Sequence, residues 1–180
     1  MKILFASDIH GSEYYTKKLV EKYKELKCDK MILLGDILYH GPRNDLPKGH
    51  NPKGVIALLN AMSDEILCVR GNCEAEVDQL VLSFSCMSDS LVLFEKGRML
   101  FITHGHLFNT ANPPKLKNGD ILIHGHTHVQ TVEKFGNNLY INPGSVSIPK
   151  EGNPPSFMLY EDGKFTIFDF DMNILNEVAI

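Results

Sequence analysis

The chain has 180 residues, with 18 lysines and arginines against 22 aspartates and glutamates and a net charge of −4. That length fits one domain, 1–180, with a substantial core. The charge, with a pI near 6.0, argues against a protein held to DNA or to a membrane by bulk charge, but leaves room for a local positive centre such as bound metal.

The four cysteines, Cys28, Cys68, Cys73 and Cys86, form no C-x-x-C pair, which argues against a zinc ribbon or a thioredoxin-like motif. The N-terminal apolar run is too short for a signal peptide, and no stretch is long enough to span a membrane. Reduced thiols in a cytoplasmic protein are the expectation.

In chain order, residues 2–7 read as a buried strand closing on Ser7-Asp8-Ile9-His10-Gly11. Residues 13–27 carry Leu19, Val20, Tyr23 and Leu26 on one helical face. Met31-Ile32-Leu33-Leu34 is an apolar run too short for a helix, and it closes on Gly35-Asp36. A β-α-β order implies a right-handed crossover and a parallel pair, so Asp8 and Asp36 are expected at the same end of adjacent strands. In open α/β sheets, ligands sit at that end.

The stretch 39–53 is rich in Gly, Pro, Asn and His and reads as a long loop, of a length that is often functional. A helix is expected over about 53–62, with Pro52 near its start. A third buried strand, 66–69, closes on Arg70-Gly71-Asn72-Cys73-Glu74, and a short helix is expected near 75–82. The second half reads as mostly β. Hairpins are expected at 91–94 with 99–103, at 131–135 with 139–142, and at 157–160 with 165–169, the last turned at Asp162-Gly163. Short strands end in His104-Gly105-His106 and, after 121–123, in His124-Gly125-His126-Thr127-His128. Phe94, Phe108 and Phe157 are open between the core and an interface between copies of the chain.

Five strand ends therefore deliver residues of metal-ligand type: Asp8 and His10, Asp36, Asn72, His104, and His126 with His128. Carboxylate and imidazole together suit Mn²⁺, Fe²⁺ and Zn²⁺. Each piece alone is a common accident. All five in this order, each closing an apolar strand, point to a metal centre, because clustering them without an ion is costly.

The order D-x-H, G-D, G-N-x-[DE], H and G-H-x-H resembles the calcineurin-like metallophosphoesterases over nearly the whole chain. Val69–Glu74, Thr103–Phe108, Ile141–Ser145 and the loop His40–Asn44 look most like the YfcE-type bacterial phosphodiesterases. The resemblance implies a four-layer αββα sandwich of two mixed sheets and two divalent ions, most often Mn²⁺, with Fe or Zn as possible occupants. Asp8, His10 and His128 would hold the first ion, Asn72, His104 and His126 the second, and Asp36 would bridge them. A hydroxide bridging the ions would attack the phosphorus of a small phosphodiester in line with the leaving group. Asp36, Asn72, Cys73 and His104 form the expected catalytic set, and His106, Arg43 and Asn44 the expected substrate contacts.

Cys73 stands where many relatives have histidine, a donor to the leaving group. A thiol near its ordinary pKa is a weak donor without imidazole's charge, so diesters are expected to be favoured over monoesters. Glu74, Asn142 and Ser145 are expected to support ligands from behind. His124 is expected to pack near its strand end, and His50 to be a surface residue without a partner. Two other readings stand beside this one: a metal-binding scaffold without catalysis, as in Vps29, and a phosphomonoesterase or nucleotidase. The acidic pI and the lack of a basic run argue against long nucleic acids.

Overall fold

A computed structural model describes all 180 residues, Met1–Ile180. β1 (Lys2–Ala6) leads through α1 (Glu13–Glu25) to β2 (Lys30–Leu33), then through α2 (Pro52–Asn60) to β3 (Ile66–Cys68) and α3 (Glu76–Val81). The rest is strand: β4 (Ser90–Glu95), β5 (Arg98–Thr103), β6 (Ile121–Ile123), β7 (Thr131–Phe135), β8 (Asn138–Asn142), β9 (Ser156–Glu161), β10 (Lys164–Asp169) and β11 (Ile174–Ala179).

These strands form two mixed sheets, ordered β11-β10-β9-β1-β2-β3 and β4-β5-β6-β8-β7. In the first, β1, β2 and β3 run parallel. In the second, β5, β6 and β8 run parallel. Each sheet therefore gathers three carboxyl ends on one edge, and the polar residues that close those strands meet there.

Alternation along the strands builds two cores. Ile3 and Phe5 of β1 and Ile32 of β2 point between the sheets, where they meet Ile102, Ile123, Ile141 and Phe165. Leu4, Ala6, Met31 and Leu33 point the other way, onto Leu19, Val20 and Tyr23 of α1 and Val55 and Leu59 of α2. Strands buried on both faces must be apolar without a break, which is why 31–34 carries no polar residue.

The ends of α1 follow local rules. Ser12 caps it by accepting from the Tyr15 N–H, Glu13 occupies its first turn and Lys22 and Lys24 its last. Pro52 starts α2, where its missing N–H costs nothing. The outer face of the five-stranded sheet is lined by irregular chain, with Phe108 packed edge-on against Phe101 at 5.6 Å between centroids. Phe157 is fully buried, whereas Phe94 on edge strand β4 is 78% exposed. The strand β11 has no counterpart in the sequence reading. No helix is long and apolar enough to cross a membrane, and all four cysteines are free.

Candidate metal centre

At the shared edge, the chain turns sharply after each strand. Asp8, His10, Asp36, His126 and His128 all have positive φ, at 58, 51, 55, 67 and 61°. Left-handed backbone outside glycine is uncommon and stores strain of about 1–3 kcal/mol per residue, typically at functional sites. Glycine makes the close approach possible. A Cβ on Gly71 would strike Asp36 Oδ1, and one on Gly125 would strike Ser7 Oγ and lie 2.8 Å from Asp8 Oδ2.

The histidines are oriented from behind. Nδ1 of His10 lies 2.7 Å from Tyr39 O, Nδ1 of His104 2.7 Å from Leu34 O, and Nδ1 of His128 2.7 Å from Ile148 O. A carbonyl only accepts, so each Nδ1 carries the proton and each neutral ring turns an Nε2 lone pair inward. The inward atoms face other electron-rich atoms. His10 Nε2 is 3.4 Å from His128 Nε2, 3.6 Å from Asp8 Oδ1 and 3.6 Å from Asp36 Oδ2. His128 Nε2 is 3.1 Å from Asp8 Oδ1. His104 Nε2 is 3.5 Å from Asp36 Oδ2 and 3.1 Å from both Asn72 Oδ1 and His126 Nδ1.

Only a cation among these atoms relieves their mutual repulsion. In its absence a proton serves: burial opposes charge on His10, but Asp8, the Tyr39 carbonyl and Asp36 outweigh it and raise its pKa. Burial likewise opposes charge on Asp8, yet His10 and His128 hold its carboxyl well below the usual range. Asp8 Oδ1 is buried without a hydrogen-bond donor. The donors fall into two clusters that share Asp36, one around Asp8, His10 and His128 and the other around Asn72, His104 and His126. Donor atoms of Asp8, His10 and His128 lie within 4.8 Å of one another, as do those of Asp8, Asp36 and His104. Oxygen and imidazole nitrogen in this number fit hard to borderline divalent ions.

The supporting residues do more than expected. Glu74 supports no histidine; it accepts the N–H groups of Asp36 at 2.9 Å and Ile37 at 2.7 Å, and that of Gly71. It thus pins the turn that presents Asp36. Asn142 donates to Gly125 O and Thr127 Oγ1, both at 2.9 Å, inside the loop that carries His126 and His128. Ser145 Oγ donates to Asp8 O and Ser147 Oγ to Ile9 O, both at 2.8 Å, a role of Ser147 that the sequence did not suggest. His124 stacks on Tyr140 at 4.4 Å and bonds Gly125 O, as expected of a packing residue. Burial pushes its pKa down to about 4.

An open pocket of about 350 Å³ lies over the centre, lined by His10, Asp36, Asn72, Cys73, His126 and His128 together with Gly41, Pro42, Arg43, Asn44 and Lys150. Arg43 and Asn44, the expected substrate contacts, thus stand at the pocket. Lys150 was missed; the Pro- and Gly-rich run after Ile148 was its only signal. His106 packs beside His104, centroids 5.4 Å apart, and is not among the pocket's lining residues. His50 needs correcting: it is partly buried, its backbone bridges to Ser12 and its ring packs on His40 at 5.5 Å. The long loop folds back onto the start of α1, which sequence spacing does not reveal. The Cys73 thiol is not near its ordinary pKa either, because burial and then Asp36 push it far up.

Fold and site together define a metallophosphoesterase sandwich, and the chain belongs to the calcineurin-like phosphoesterase superfamily, whose domain matches residues 1–163. The chain is 44% identical over 182 residues to the phosphodiesterase YfcE of Escherichia coli K12, covering 100% of this chain and 98% of that protein. A solved structure of the E. coli phosphoesterase Yfce superposes with a TM-score of 0.97 at 42% identity, covering 100% of both chains. Wild-type Vps29 of Entamoeba histolytica, solved with zinc, aligns with a TM-score of 0.60 over 99% of each chain. Its identity of 18% shows a common fold alone.

Proposed function

We propose that this chain is a divalent-metal-dependent phosphodiesterase acting on small diesters. The observation that carries the reading is the inward convergence of imidazole lone pairs and carboxylate oxygens in two clusters sharing Asp36. The phosphodiesterase named above, 44% identical over the full length, supports the reaction class.

Asp8, His10 and His128 would hold one ion and Asn72, His104 and His126 the other, with Asp36, whose Oδ2 faces both His10 and His104, shared between them. Two such ions, with Mn²⁺ our assignment, supply an acidified water as nucleophile and a clamp for phosphate oxygens. Asn72 contributes its carbonyl to the centre and keeps its NH₂ for a phosphate oxygen. Arg43 and Lys150 offer positive charge at the pocket, Arg43 in a planar fork suited to phosphate.

Cys73 lines the pocket as a neutral thiol, since burial and Asp36 hold its proton on. It gives no positive charge to a dianionic monoester, so diesters are favoured. The complete donor set favours catalysis over a scaffold role. The free thiols fit a reducing compartment such as the cytoplasm.

The test is hydrolysis of bis-p-nitrophenyl phosphate against p-nitrophenyl phosphate by protein stripped with chelator and reloaded with Mn²⁺. Mn²⁺-dependent cleavage of the diester, with monoester cleavage gained in Cys73→His, is the expected result. Equal monoester cleavage by both proteins would remove the specificity claim. No cleavage of either ester with any divalent ion would overturn the reading.

A further inference from the structure

The two clusters do not exhaust the donors. Donor atoms of His10, Asp36 and Cys73 also lie within 4.8 Å of one another. Across a tetrahedral zinc, a sulfur at about 2.3 Å and a nitrogen or oxygen at about 2.0–2.2 Å lie roughly 3.5 Å apart. His10 Nε2 and Asp36 Oδ2 already stand 3.6 Å apart, so closing on an ion asks only that Cys73 Sγ swing inward by up to about 1 Å. We propose that Cys73 Sγ is a further metal ligand, drawn in with His10 and Asp36 by thiophilic divalent ions such as Zn²⁺, Cd²⁺ or Co²⁺ and left uncoordinated by Mn²⁺. The inference rests on the proposal that the centre holds divalent ions.

Three features of the site support it. The Cys73 N–H donates to Asp36 Oδ1 at 2.9 Å, which fixes the cysteine backbone beside the shared carboxylate. Asn72 Nδ2 points at Sγ from 3.3 Å, a donor that favours sulfur bearing negative charge. His10 turns its lone pair into the same space, opposite Asp8 Oδ1, an oxygen fully buried and without a hydrogen-bond donor. All three side chains of the group line the same open pocket.

Ligand chemistry divides the ions. Thiolate is a soft donor that selects Zn²⁺ and its heavier neighbour, whereas Mn²⁺ prefers carboxylate, carbonyl and water. On coordination the thiol proton leaves to solvent, since a coordinating thiol is deprotonated outright. Cys73 then points at the ion instead of the substrate space. One residue thereby makes the pocket respond to which ion fills it: Mn²⁺ leaves Cys73 facing substrate, and a thiophilic ion withdraws it.

The other three cysteines make the test clean, because Cys28, Cys68 and Cys86 are all buried in the core beneath the helices. Wild type, Cys73→Ser and Cys73→Ala would be loaded with Co²⁺ and scanned for the near-ultraviolet thiolate-to-cobalt band. Zinc-loaded protein would be measured by X-ray absorption. The expected result is the cobalt band and one sulfur near 2.3 Å in wild type, both lost in the two variants. Cd²⁺ affinity should fall by about tenfold or more in Cys73→Ser, against a change of less than about twofold for Mn²⁺. Diester hydrolysis with Mn²⁺, together with zinc bound by nitrogen and oxygen alone, would overturn this inference and leave the phosphodiesterase reading standing. A band that persists in Cys73→Ser would also overturn it. Failure to bind any divalent ion would overturn both.

Discussion

His10 and His128 face one another with their Nε2 atoms 3.4 Å apart, while each Nδ1 is committed to a backbone carbonyl at 2.7 Å. With both rings neutral there is no proton between them, and only added positive charge, a metal ion or a proton on His10, relieves the contact. The two rings come from turns 118 residues apart in sequence, and both also look at Asp8 Oδ1. An arrangement that is repulsive when empty of positive charge is a binding site for it.

Asp36→Asn tests the shared ligand. The amide oxygen keeps the Cys73 N–H bond, and the NH₂ satisfies the inward lone pairs of His10 and His104. Chelator-stripped Asp36→Asn should therefore be as stable as wild type, or more so by about 1 kcal/mol. Its metal affinity should fall roughly 10- to 100-fold. Diester turnover should fall about 1,000-fold, equivalent to about 4 kcal/mol of transition-state stabilisation. Thermal melts with and without chelator, metal titration and kcat measure the three separately.

Glu74→Ala removes the acceptor of three N–H groups, those of Asp36, Ile37 and Gly71. Each orphaned buried donor costs about 1–3 kcal/mol. The expected loss is about 3–6 kcal/mol, or roughly 10 °C or more in Tm for a chain of this size. Glu74→Gln should lie between, because its NH₂ meets donors. A melt of Glu74→Ala within about 2 °C of wild type would contradict the role given to Glu74.

The residues that close strands were legible from sequence because a short apolar run ending in a ligand-type residue leaves little freedom in where that residue goes. Asp8, Asp36, Asn72, His104 and His126 all fell out this way. Lys150 did not, because no strand aims it; it reaches the pocket through a loop that follows Pro149. His50 was misread for the same reason, its place being set by a bridge to Ser12. The strand β11 escaped because Asn176 and Glu177 interrupt its apolar pattern, and as an edge strand it pairs with β10 alone. The left-handed turns at Asp8, His10 and Asp36 are imposed by tertiary contacts, so residue type does not announce them.

Gly125→Ala should loosen the centre without unfolding the sheets. Its Cβ would strike Ser7 Oγ and crowd Asp8 Oδ2, which accepts the His126 N–H at 3.0 Å. The expected outcome is a roughly 10- to 100-fold loss of metal affinity with the far-ultraviolet circular dichroism of wild type. Wild-type metal affinity in this variant would mean that the contact relaxes freely.

His124 gives a pH dependence of known sign. Burial lowers its pKa from 6.5 to about 4, so between those values the unfolded chain binds more protons than the folded one. Stability from this residue is present above pH 6.5 and is lost as pH falls toward 4. The full loss is about 3 kcal/mol. Urea titrations of chelator-stripped wild type and His124→Gln, at pH 7 and pH 4.5, isolate it as the difference between the two proteins. The stability lost on acidification should be smaller in His124→Gln; an equal loss in both would show that His124 does not carry this term.

The most direct measurement of the central claim is electron paramagnetic resonance of Mn²⁺-loaded protein, with bound metal counted by equilibrium dialysis. Two clusters sharing one carboxylate predict two ions per chain and the many-line spectrum of an exchange-coupled pair, reverting to isolated Mn²⁺ in Asp36→Asn. One ion per chain, or two with no coupling, would contradict the shared centre.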